Sequence, residues 1–188
     1  MKNDIKSILI DENEIQNIVK DISKKITNDY KDRNSKLLLL CILKGSVVFM
    51  GDLMKNIDLP VEIDFMKVSS YGSGSKTTGN INIILDIHRN DLSDVDILIV
   101  EDIIDSGKTL SYLSEYLLHK GAKSVKTVTL LDKPSRREVD FVPDYTGKII
   151  PDEFVVGYGL DYNEKFRNFP YIGILKPEVY GASSAEND

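Results

Sequence analysis

Ile97-Leu98-Ile99-Val100-Glu101-Asp102-Ile103-Ile104-Asp105-Ser106-Gly107-Lys108-Thr109-Leu110 is the stretch on which the reading of this chain turns. Four aliphatic residues in a row read as a short strand buried on both faces. The strand runs into two adjacent carboxylates, and a third follows at Asp105. From Ser106 to Lys120 the spacing predicts a helix, with Leu110, Leu113 and Leu117 on one face and Gly121 as its stop. The Ser106-to-Thr109 turn suits a phosphate. Gly107 allows close backbone approach, Ser106 and Thr109 bring hydroxyls, Lys108 brings a charge, and a helix start offers N–H groups at a positive dipole end. A triphosphate-binding loop of the Gly-x-x-x-x-Gly-Lys-Thr kind needs glycine where Asp102 stands, so that reading fails. Glu101 and Asp102 make sense beside a phosphate if the ligand also carries a diol, whose hydroxyls carboxylates accept, and a magnesium ion held partly through water. The alternative is a helix cap with solvated acids. That leaves three carboxylates at a buried strand end with nothing to offset their desolvation.

The same grammar continues outward. Ile15, Ile18, Val19, Ile22 and Ile26 recur at helical spacing behind Asp11 and Glu14, a capping-box start. Leu37 to Leu43 is a second run buried on both faces, and Ser46 to Ile57 is a helix. Val61 to Val68, Ile81 to Ile87 and Val125 to Leu131 are further strands, with a polar connection over 91–96. The segment 69–80 is poor in apolar residues and rich in Gly and Ser, a loop whose composition suits a closing lid and a plain connection equally. Strands alternating with helices imply an α/β fold with a mainly parallel sheet, whose ligands sit beyond the carboxyl ends of the strands. No repeat or interdomain linker is visible, so the chain reads as a single domain. The small polar stretch 181–188 reads as a disordered tail.

Composition narrows the class. In 188 residues, 41% are hydrophobic and 29% charged, an ordinary globular balance. A net charge of −6 argues against a nucleic-acid partner, which calls for a basic face. No apolar run approaches the roughly 20 residues of a membrane span. The first residues lack an apolar signal region, so a cytoplasmic location is expected. The single cysteine, Cys41, lies inside an apolar run and reads as a small buried hydrophobe. His88 and His119 stand apart, away from metal-ligand spacing, and read as surface residues.

The Glu101-to-Thr109 run resembles the signature of the type I phosphoribosyltransferases, and more narrowly their 6-oxopurine (hypoxanthine-guanine) branch. The resemblance spans about residues 5–176 in order and spacing. Its second strong element is Phe154-Val155-Val156-Gly157-Tyr158-Gly159-Leu160-Asp161-Tyr162-Asn163-Glu164-Lys165-Phe166-Arg167. It implies a core of about five mainly parallel strands over 11–133. A small hood from 1–10 and 134–180 covers the base. It implies magnesium-dependent transfer of the 5-phosphoribosyl group from 5-phosphoribosyl 1-diphosphate to a purine, in a homodimer or homotetramer.

By the same resemblance, Glu101, Asp102, Asp105, Ser106, Gly107, Lys108 and Thr109 hold the ribose phosphate. Lys44, Gly45 and Arg167 bind pyrophosphate, with a cis peptide between Leu43 and Lys44. Ser70 and Tyr71 belong to a lid. Ile103, Lys133, Phe154, Val155 and Asp161 surround the purine, with Phe154 stacked on it and Lys133 donating to its 6-oxygen. Asp161, with Glu101 and Asp102, is implied for magnesium, while Asp105 and Lys133 carry the catalysis. The Pro134-Ser135-Arg136-Arg137 stretch reads as a surface loop. Two other classes stay in view: a relative acting on xanthine, adenine or a pyrimidine, and a non-catalytic regulator that senses the same sugar and binds nucleic acid.

Overall fold

The structure, a computed structural model, describes residues 2–70 and 81–181. Its strands are β1 (Ile5–Ile10), β2 (Lys36–Ile42), β3 (Val61–Ser70), β4 (Ile81–Leu85), β5 (Val95–Ile104), β6 (Ser124–Asp132), β7 (Tyr145–Ile149), β8 (Val155–Val156) and β9 (Ile172–Leu175). The helices are α1 (Glu12–Tyr30), α2 (Val47–Asn56), α3 (Lys108–His119) and α4 (Pro177–Tyr180). The main sheet runs β4-β3-β2-β5-β6-β7. Five of its strands are parallel, and β4 adds antiparallel to the β3 edge. This is the expected α/β fold with one more strand than the expected core.

Alternation along the central strands explains the layering. Leu37, Leu39 and Cys41 of β2 face the side covered by α1 and α2, with Ile15, Val19, Phe49 and Leu53. Leu38, Leu40 and Ile42 face α3, with Leu110, Leu113 and Leu117. A strand pressed between two layers needs apolar residues on both faces, and β2 has them at every position from Leu37 to Ile42. Helix α1 starts where Asp11 accepts a hydrogen bond from the Glu14 N–H at 2.8 Å. Cys41 is fully buried, and His88 and His119 are exposed.

A second, three-stranded sheet, β1-β9-β8, is antiparallel throughout. It joins the first residues of the chain to the last described ones and stands by the carboxyl ends of the main-sheet strands. The stretch after Pro134 does not belong wholly to this small sheet: β7 returns to the core and pairs parallel with β6, Val128 opposite Tyr145.

Candidate active site

Strand β5 carries the acids further than its aliphatic run suggests. It continues through Glu101 and Asp102 to Ile104, with Ile103 opposite Leu131 and Ile104 opposite Asp132 of β6. The two carboxylates are therefore adjacent strand residues, and their carboxyl groups are close enough to share a hydrogen bond. Asp102 is buried, its carboxylate accepting from the Ile103 N–H at 2.7 Å. Glu101 Oε2 is buried with no hydrogen-bond partner. Burial pushes both carboxyls well above the ordinary carboxylate range, and the charge of Asp102 adds to the effect on Glu101. An acid held in this way lacks the cation or donors that normally accompany burial.

Beyond the strand end, Gly107 takes a left-handed φ of 81° and starts α3 without a side-chain cap. The Lys108 N–H donates to Ser106 Oγ at a long 3.4 Å, and the N–H groups that follow it are left to a ligand or to water. Glu101, Ser106, Gly107 and Thr109 line a cleft of about 250 Å³. A neighbouring cleft of about 400 Å³ is lined by Lys133, Phe154, Val155 and Asp161. Ile103 and Asp105 line both clefts. Lys133, only 7% exposed at the end of β6, reaches within 3.9 Å of Asp105 Oδ1. A buried ammonium and a half-exposed carboxylate therefore meet at the junction of the two chambers.

The third cluster pairs two cations, Lys44 and Arg167, with two carboxylates, Asp161 and Glu164. The Leu43–Lys44 peptide is cis, as the resemblance implies. A Cβ on Gly45 would lie 1.6 Å from Asp102 Oδ2, and one on Gly159 would lie 2.0 Å from the Gly45 carbonyl oxygen. Bare backbone is what lets the Leu43-to-Gly45 turn slot between the acid strand and the 157–159 turn. Lys44 Nζ pairs with Glu164 Oε2 at 3.0 Å, and the same oxygen lies 3.4 Å from Arg167. Arg167 also pairs with Asp161 at 2.8 Å and donates to the Gly159 carbonyl at 2.7 Å, while its Nε is buried without a partner.

Among the described residues no group of three or more His, Cys, Asp or Glu could hold a metal ion, so Glu101, Asp102 and Asp161 do not form one cluster. Magnesium, which keeps several waters and takes few protein carboxylates, fits the Glu101–Asp102 pair better than a protein cage. Ser70 closes β3, and Tyr71 lies outside the described residues.

Several participants escaped the sequence reading. Tyr180 of α4 stacks on Phe154 at 4.9 Å between ring centroids, and Tyr162 meets the same ring edge-on at 5.6 Å. Nothing local marks Tyr180, since only the fold brings α4 to the cleft. Arg136 lines the larger cleft, and Arg137 is not a surface residue but reaches back to the Asp105 carbonyl. Glu164 and Gly159 sit inside the second recognised stretch, and their positive φ values are not visible in residue types alone for Glu164.

Comparison with known proteins gives a consistent picture. The model of the phosphoribosyl transferase domain family matches residues 7–163. The hypoxanthine-guanine phosphoribosyltransferase of Bacillus subtilis is 53% identical over 96% of this chain and 98% of its own length. The bifunctional protein TilS/HprT of Listeria monocytogenes is 51% identical over 96% of this chain, which spans 27% of that longer protein. The crystal structure of a hypoxanthine phosphoribosyltransferase from Staphylococcus aureus superposes with a TM-score of 0.89 at 51% identity, covering 96% of each chain.

Proposed function

This chain belongs to the phosphoribosyl transferase domain family, and on that premise we propose that it is a purine-salvage hypoxanthine-guanine phosphoribosyltransferase. It transfers the 5-phosphoribosyl group of 5-phosphoribosyl 1-diphosphate to N9 of hypoxanthine or guanine and releases diphosphate. The observation that carries the reading is the acid pair Glu101–Asp102, with Glu101 Oε2 buried and without a partner, in the strand that leads into a helix start lacking a side-chain cap. A diol satisfies the acids and a phosphate satisfies the helix, and Glu101, Ser106, Gly107 and Thr109 line one cleft.

The roles follow from the placement. Ser106, Gly107, Lys108 and Thr109 hold the 5-phosphate, and Glu101 and Asp102 orient the ribose hydroxyls. Lys44, Gly45 and Arg167 receive the diphosphate, with Arg167 offering its planar fork. The base enters the larger cleft against Phe154 and Val155. There the Lys133 ammonium donates to the 6-oxygen, and Asp105 takes the proton at N7 as N9 attacks C1 and the bond from C1 to diphosphate breaks. A buried lysine placed to donate is left unpaired by a 6-amino group, which selects against adenine. Magnesium, when bound, would supply charge neutralisation for the diphosphate; Glu101 and Asp102 would hold it, and Asp161, which does not cluster with them, would do so separately, each through water and ligand oxygens. Ile103 lines both chambers and contributes to the wall against the purine.

The remaining expectations belong to the same reading. No described helix is long and apolar enough to cross a membrane. A cytoplasmic location is part of the same proposal, as is assembly into dimers or tetramers, supported by the exposed Val47, Val48 and Met54 on α2. The 1–10 and 134–180 segments act as the hood over the base, β7 excepted. The test is one assay with hypoxanthine, guanine, xanthine and adenine in parallel, with 5-phosphoribosyl 1-diphosphate and magnesium. Turnover of hypoxanthine and guanine with adenine inert is expected, and rapid turnover of adenine alone overturns the reading.

A further inference from the structure

Arg137 ties together the two chain segments that carry Asp105 and Lys133. Its Nη1 donates to the backbone carbonyl of Asp105 at 2.7 Å, and its Nη2 pairs with the Asp132 carboxylate, the residue immediately before Lys133. The side chain is 16% exposed, and that of Asp132 is 10% exposed. One guanidinium with both ends engaged is therefore nearly sealed from water. It bridges the loop after β5 to the end of β6 with the rigid spacing of a planar fork.

Its neighbours lie over the same loop. The Glu138 N–H donates to the Ser106 carbonyl at 3.0 Å, and the Glu138 carboxylate pairs with Lys108. A Cβ added at Gly107 would lie 3.0 Å from Arg137 Cδ and 3.1 Å from Val139 Cγ2. Residues 137–139 thus form a strap across the Asp105-to-Lys108 loop, and Arg137 is its anchor. Asp105 itself has little else to hold it. Its side chain is 48% exposed and its one ion pair, to Lys133, is long at 3.9 Å.

We propose that Arg137 is a positioning residue, which sets the separation of Asp105 and Lys133 by clamping the Asp105 carbonyl to Asp132. It touches neither base nor sugar. This rests on the proposed roles of Asp105 and Lys133, and the experiment separates the two claims.

Turnover is measured for Arg137→Met, Arg137→Lys, Asp105→Asn and the Asp105→Asn/Arg137→Met pair, each checked by its unfolding midpoint. Arg137→Met lowers kcat about 10- to 100-fold, the range expected when a reacting group is misplaced by about 1 Å. Arg137→Lys, which keeps one donor, recovers part of that loss. In the Asp105→Asn background the methionine costs less than about threefold, because the group it aligned has already gone. A merely structural arginine gives the same fractional loss in both backgrounds. Arg137→Met within about twofold of the parent, or an undiminished loss on Asp105→Asn, overturns the proposal. Should the methionine variant not fold, the same cycle run with Arg137→Lys decides in the same way. Near-normal turnover of Asp105→Asn alone instead removes the role assigned to Asp105.

Discussion

Strand β5 buries an acid near each of its ends, and the two ends are treated in opposite ways. Asp96, 1% exposed, accepts from the hydroxyls of Ser35 and Ser124 and lies 3.4 Å from Arg33. Burial alone pushes its pKa up, but those hydrogen bonds and the Arg33 charge outweigh it and hold the carboxyl below its ordinary value. Five residues on, Asp102 and the Oε2 of Glu101 are buried as well, yet both pKa values are raised, and Glu101 Oε2 has no partner. The first acid completes the fold and the second pair waits for something. A buried charge supplied with partners is structural, and one left without them marks where a ligand provides what the chain omits.

The contrast can be broken most decisively at the ligand end. Asp105→Asn is expected to lower kcat about 10²- to 10⁴-fold with its melting temperature nearly unchanged, since it removes proton transfer and no packing. Steady-state kinetics beside calorimetry measures both. At the opposite end, Asp96→Asn leaves kcat near the parent value and costs about 1.5–3 kcal/mol of stability, because the charge facing Arg33 is lost and one serine hydroxyl must turn to accept from the amide. Urea unfolding at pH 7 reads this, and a large loss of activity in that variant erases the distinction between the ends.

Asp102→Asn sharpens the contrast by its sign. A carboxyl whose folded pKa is raised holds its proton longer in the folded chain than in the unfolded one. Stability then falls as pH rises from the ordinary carboxylate range through the raised value. Removing the charge should stabilise the unliganded protein at pH 7 by on the order of 1 kcal/mol, while weakening binding of 5-phosphoribosyl 1-diphosphate. The gain fades as pH is lowered below the ordinary range. Asp96 behaves in the reverse sense, its contribution present above the ordinary value and lost as pH falls through the lowered one. Thermal melts from pH 4 to 8 on both variants test the pair of signs, and parallel curves refute it.

The smallest effect is expected of Lys108→Met. Its ion pair with Glu138 is about half exposed, so stability should move by less than about 1 kcal/mol. The KM for 5-phosphoribosyl 1-diphosphate should rise several-fold if the lysine faces the phosphate. An unchanged KM assigns the lysine to the strap alone.

How much of this was legible in the chain depended on whether the signal was local. The runs 37–43 and 97–100 announced buried strands because both faces are covered, and Asp11 with Glu14 announced α1. The continuation of β5 through Glu101 and Asp102 was hidden, since charge usually ends a buried strand. What carries it on is the ladder to β6, set by residues about 28 positions away. The acid pair and the turn after it were readable as chemistry. Arg137 reads as a surface residue in the sequence because nothing beside it indicates that Asp105 lies within reach. Tyr180 against Phe154 and the return of β7 to the core are likewise products of the tertiary arrangement.

Cys41 has a practical corollary. It is the only cysteine in the chain, fully buried in β2, and burial raises its thiol pKa although the Ser46 hydroxyl draws it back somewhat. Thiolate, the form that reacts, is therefore scarce and shielded at neutral pH. A cysteine introduced on the exposed face of β4, as in Ile84→Cys, should take up a maleimide dye alone, giving a singly labelled protein without first removing a native thiol.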